Sequence, residues 1–205
     1  DAKEKIEKIE KVLQSPQSGH DLRTSRDLLK EHRQLENESR ELADKMNSIV
    51  SRAQKMATNH FNSQGIMDET MKYLRRFESL QDPLSKRGEF LQAKVDQYEF
   101  YHYCDLELTW INEKMPVASS THFGKSLDAA LSMLQKHKEL QAEVNAHKQQ
   151  LRRVLEIGNS LIASNHPESR NISEKNKKLQ DAWSELEQAC EKRMRSLQDS
   201  VASKR

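Results

Sequence analysis

The stretch ISEKNKKLQDAWSELEQACEKRMRSL, residues 172–197, decides the fold. Through it runs one stripe, Ile172, Asn176, Leu179, Trp183, Leu186, Cys190, Arg193 and Leu197, in alternating steps of four and three. That is the 3.5-residue period of helices packed side by side in a left-handed bundle. Leu179, Trp183 and Leu186 are expected at the centre of a core. Cys190 shares the stripe and reads as a small buried residue.

The same pattern stands 106 residues earlier. Asn59, His60, Ile66, Lys72, Leu80, Lys86, Arg87, Leu91, Gln92 and Val95 match Asn165, His166, Ile172, Lys178, Leu186, Lys192, Arg193, Leu197, Gln198 and Val201, and Phe77 falls opposite Trp183. The segments that precede them repeat at a spacing of 105. Leu22, Leu29, His32, Leu35, Leu42, Met46, Ile49, Ala53 and Met56 answer to Leu127, Leu134, His137, Leu140, His147, Leu151, Val154, Gly158 and Leu161. Pro16 with Gly19, Gly65, Pro116 with Gly124, and Pro167 punctuate these helical segments.

A period this long exceeds the short solenoid repeats and suits a three-helix bundle joined to its copy. Neither Gly nor Pro occurs from Glu89 to Met115, so the last helix of one bundle can run on as the first helix of the next. The fold expected is all-α: two tandem left-handed three-helix bundles, residues 1–98 and 99–205, sharing a continuous linker helix in an elongated rod. The first helix of the first bundle, only about 14 residues, reads as truncated, and the chain, opening at Asp1, reads as part of a longer polypeptide.

Composition agrees. Of 205 residues 35% are hydrophobic and 32% charged, with five glycines and four prolines, which is too polar for a thick layered core. The net charge of +2 favours neither nucleic acid nor acidic membranes as obligatory partners. No apolar run approaches the ~20 residues that cross a bilayer.

On the shared helix lies YEFYHYCD, residues 98–105, with three of the four tyrosines. Tyr98, Tyr101 and Tyr103 are expected to form the joint between bundles. His102 and Cys104 stand two apart and cannot grip an ion from one helical face. Cys104 and Cys190 have no CxxC or Cys/His spacing around them and read as reduced core thiols. The paired histidines, His32 with His137 and His60 with His166, follow the repeat and not a metal site, and His20 and His122 sit in corresponding loops. No nucleophile elbow, P-loop or dinucleotide fingerprint occurs, so no catalytic, metal or cofactor residue is expected. Trp110, one turn from Leu106, is expected in the core with Trp183.

Pro83 and Gly88 break the pattern. They fall inside the third helix of the first bundle, where the second has Ala189 and Met194, and are expected to kink it or to shape a docking surface.

These residues resemble the spectrin repeat. WINEK (110–114), FGKSLDAALSMLQKHKEL (123–140), NHPESRNI (165–172) and LQDAWSELEQACEKR (179–193) follow its pattern through three helices. DLRTSRDLLKEHRQL (21–35) and residues 59–92 do so in the first unit, with Phe77 in place of a tryptophan. The resemblance implies a spacer and elastic element in a cytoskeletal rod of the membrane skeleton, not an enzyme, with no cofactor. Implied partners are a spectrin-type chain, an ankyrin-like adaptor or an actin-linked complex. Peripheral membrane association, for example with anionic lipid, and a cytoplasmic place at the cell cortex are also implied. The isolated pair of repeats is expected to be monomeric.

Overall fold

The computed structural model describes residues 1–15, 17–57 and 63–205, and among them every regular element is a helix. Pro16, Asn59 and His60, used in the repeat comparison, lie outside the described residues. In order the helices are α1 (Ala2–Gln14), α2 (Leu22–Ala57), α3 (Ser63–Glu78), α4 (Gln81–Ala118), α5 (Leu127–Ala163) and α6 (Ser169–Ser203). The chain divides into two compact units, Asp1–Tyr98 and Glu99–Arg205. The division falls inside the 38-residue α4, so one helix carries covalent continuity across it.

In the second unit α5 and α6 lie against each other and enclose the stripe read from sequence. Ile172, Leu179, Leu186 and Leu197 have no measurable exposure, and Trp183 only 3%. From α4 come Phe100, Cys104, Ile111 and Ala118, likewise buried. Their spacing of four or seven puts them on one face of that helix. Phe100, absent from the expected core, is among its largest fully buried side chains. Helix α5 starts where the Ser126 hydroxyl accepts the Ala129 N–H (3.1 Å), a side-chain N-cap. Ahead of it Gly124 adopts φ +90°, and a Cβ there would stand 2.6 Å from the Ala130 nitrogen, so conformation and space both demand glycine.

The first unit packs Ile6, Ile9, Leu35, Leu42, Met46, Phe77 and Leu84 around the equivalent axis. Its third helix departs from expectation. Instead of a kinked continuous helix there are two, α3 and α4, separated at Ser79 and Leu80. Pro83 explains the position. In an unbroken helix its missing N–H would leave the Ser79 carbonyl unpaired, and its ring would strike that carbonyl four residues back. The chain turns there instead, with Leu80 N–H donating to Phe77 O (3.1 Å) and Gln81 Nε2 to the same carbonyl (3.2 Å). Pro83 becomes the third residue of α4, where an N–H has no intrahelical acceptor anyway.

Two other punctuation marks are corrected. Gly65 is in the first turn of α3 and not in a loop, and α4 runs through Pro116 to end at Ala118.

Candidate functional site

The four-three stripe places three aromatic rings at one level of the second unit. Trp110 of α4 stacks on His147 of α5, ring centres 3.8 Å apart and planes 6° from parallel, and Trp183 of α6 lies 6.0 Å from Trp110. His147 Nε2 meets Glu107 Oε2 at 2.5 Å. Glu107 is only 4% exposed, so this contact pairs a buried carboxylate. Lys114 sits 5.4 Å over Trp110 and pairs with Glu143 at 2.8 Å. Trp110 is therefore half-buried, a wall of the core and not its interior as expected. Its neighbours are in keeping with this, since a ring that stacks on an imidazole and meets an ammonium packs against polar groups as well as apolar ones.

Sequence reading left His147 unpaired, because its counterpart is Leu42. A second histidine on a mostly apolar stripe, at a position where the first unit has Leu42, with Glu107 and Trp110 on a neighbouring helix, was the available signal.

The expected joint residues all lie half-buried. Tyr101 and Tyr103 pack against the core of the second unit, and Lys175 Nζ stands 5.1 Å over the Tyr101 ring. His102 is exposed, while Cys104 is fully buried and its thiol is pushed up to about 12 by burial. Burial also raises the Cys190 thiol. Neither is a nucleophile near neutral pH.

Gly88 was expected to bend the helix or face a partner, and it does neither. It is buried against α2, where a Cβ would stand 3.0 Å from His32 Nε2 and 3.2 Å from Arg33 Nη1. Glycine here makes room for those two side chains. Pro83 is exposed.

Each unit also buries a histidine between its second helix and its third. Arg87 donates to His32 Nδ1 (2.6 Å), and His137 Nε2 donates to the Cys190 carbonyl (2.8 Å). Burial holds both imidazoles below the ordinary histidine range, with the adjacent Arg87 or Arg193 adding to the effect. Arg193 fixes the α4–α5 loop by donating to Ser120 O (2.7 Å) and His122 O (2.9 Å) while lying over Phe123.

Among the described residues no group of three or more His, Cys, Asp or Glu could hold a metal, and no helix is long and apolar enough to cross a membrane. A hollow of about 980 Å³ beside Phe123, Met133 and Asp199 contains serine hydroxyls. Those of Ser200 and Ser203 donate to the carbonyls of Phe123 and Ser200, both at 3.0 Å, so they serve the fold.

A family model of the spectrin repeat matches residues 1–93 and again 95–199. The chain is 48% identical over 193 residues to human spectrin beta chain, non-erythrocytic 5, covering 94% of this chain and 5% of that protein. It is 27% identical over 197 residues to mouse spectrin alpha chain, erythrocytic 1, covering 96% of this chain and 8% of that one. With the Drosophila melanogaster spectrin beta chain it shares 31% over 127 residues, 62% of this chain and 6% of the relative. The chain thus spans less than a tenth of the length of these relatives.

Proposed function

Because this chain belongs to the spectrin-repeat family, we propose that its two units serve as a spacer and elastic element in a cytoskeletal rod. The carrying observation is α4, Gln81–Ala118, which passes without interruption through the division at Tyr98 and Glu99. Load on one unit reaches the other through helical hydrogen bonds and not through a slack linker. The 36 residues of α2 and 37 of α5 give each unit a helix of ~55 Å at 1.5 Å per residue. A core held by one stripe per helix yields under modest load, and a shared helix couples the stability of neighbours.

In this reading Tyr98, Tyr101 and Tyr103 stiffen α4 where it changes allegiance. The partners are other rod and cortical proteins: a spectrin-type chain, an actin-linked complex or an ankyrin-like adaptor. The place of action is the cytoskeleton beneath the membrane, and no catalysis is involved. A docking role near Pro83 is a second reading, favoured by the exposure of Pro83 and of Phe90, which is 45% exposed.

Substituting Glu99→Pro tests the main reading by interrupting α4 at the division. Under optical-tweezer extension the native chain is expected to unfold both units together in a large share of pulls, and the variant to unfold them separately. Identical step patterns in the two proteins would remove continuity of α4 as the basis of elastic coupling. For the second reading, a Pro83→Ser, Phe90→Ser chain should lose cytoskeletal partners that the native chain retains in a binding assay. Undiminished capture would end it.

A further inference from the structure

His32 and His137 occupy the same place in the two units, as do Arg87 and Arg193, and neither histidine is used by the spacer role. His32 is fully buried and His137 is 2% exposed, although the repeat stripe has leucine or another apolar residue at most such positions. We propose that each pair, His32 with Arg87 and His137 with Arg193, is an acid-labile latch whose protonation loosens the second helix of its unit from the third.

The tautomers follow from the contacts. The Cys190 carbonyl only accepts, so His137 carries its proton on Nε2 and leaves Nδ1 bare. That Nδ1 is buried without a hydrogen-bond partner. A second proton there would be a donor with no acceptor, on a cation that the Arg193 charge opposes. In the first unit Arg87 donates to Nδ1, so His32 carries its proton on Nε2, and protonation at Nδ1 would set imidazolium against guanidinium. Either outcome is relieved by opening the interface to water.

The units differ in what offsets the charge. His32 Nε2 has Glu36 Oε1 at 3.5 Å, one turn along α2, while the equivalent residue on α5 is Gln141. The charged neighbours of His32 are Arg33 and Glu36 on its own helix and Arg87 on α4. Those of His137 reduce to Arg193 on α6, beside the neutral Cys190. On α4, Glu107 is engaged with His147 and Lys114 with Glu143. The second unit is therefore the less buffered of the two.

The direction is fixed by linkage. The unfolded chain protonates histidine as pH falls through about 6.5, while the folded unit resists. Stability is fully present above that value and is lost as pH falls below it, until the lowered native value is reached.

Both tryptophans, Trp110 and Trp183, lie in the second unit, so their fluorescence reports it alone. Urea unfolding of the native chain, His137→Gln and Gln141→Glu at pH 7.5 and 5.5 tests the latch. The native unfolding constant should rise on acidification, with up to about tenfold due to His137. His137→Gln should remove that share, and Gln141→Glu should shrink it by supplying the carboxylate that the first unit has. The other histidines are common to all three proteins, so the differences isolate this one. A His137→Gln chain with the native pH dependence overturns the proposal. If that variant does not fold, an unchanged pH dependence in Gln141→Glu overturns it equally.

Discussion

The two units are one sequence pattern carried to two different degrees of burial. At matched stripe positions Val154 is 2% and Ile172 0% exposed, whereas Ile49 is 37% and Ile66 41% exposed. The side chains are of the same class, so what differs is what lies across from them. In the second unit Phe100 and Cys104 of α4 cover this end of the core, and Phe100 sits against Gly158 and Asn176. Among the described residues Ile49 and Ile66 have no such cover. A stripe is a capacity to bury, and a third helix has to realise it.

The aromatic level sharpens the contrast. Trp110, His147 and Trp183 in the second unit stand where the first has Lys5, Leu42 and Phe77. Trp183→Ala should cost ~3–5 kcal/mol in the second unit, through lost burial and a cavity beneath Trp110. Phe77→Ala should cost the first unit less, because no stacked pair collapses with it. Urea melts read by helical ellipticity, with hydrogen exchange to assign each unit, would measure both. Equal losses would dissolve the distinction.

His147→Leu makes the second unit resemble the first at one position and leaves the Glu107 carboxylate buried alone. An unsatisfied buried charged group costs ~1–3 kcal/mol or more. Adding Glu107→Ala, the counterpart of Ala2, should recover part of that loss. A double variant no more stable than the single one would show that the ion pair adds little to the stack. Gly158→Ala belongs with it in size. The added methyl would stand 2.6 Å from Asn176 Oδ1 and 2.7 Å from Phe100 Cζ. Such overpacking typically costs ~1–3 kcal/mol. The first unit already has alanine at the matching position, Ala53, and buries it.

Much of this was legible in the sequence, and the exceptions have physical causes. The stripe from Ile172 to Leu197 gave α6 and its core directly, since the step size holds along eight positions and the chemistry is apolar at six of them. Continuity of α4 followed from the absence of Gly and Pro between Glu89 and Met115. Phe100 was missed because the tyrosines around it drew the reading to a joint between bundles, although Phe100, Cys104 and Ile111 keep the bundle spacing. The His147 with Glu107 pair joins residues 40 apart, and no local period connects them. Exposure of Ile49 and Ile66 was invisible for a related reason: a repeat matched position by position says nothing about what packs against each position.

Pro83 gives the smallest effect and the finest test. It distinguishes the split third helix of the first unit from the continuous α6, whose counterpart residue is Ala189. An interior proline costs ~3 kcal/mol, but the chain has moved the break to Ser79 and Leu80, so that cost has largely been avoided. Pro83→Ala removes the clash and permits α3 and α4 to fuse, which favours the folded state. It also frees the unfolded chain, which opposes folding by ~0.4–1 kcal/mol. The two nearly cancel, so the midpoint of unfolding should move by less than the equivalent of ~1 kcal/mol while helical ellipticity rises as the break closes. A large gain in stability would mean that the proline still strains α4. An unchanged ellipticity would mean that the break is held by the bonds to the Phe77 carbonyl and not by the ring.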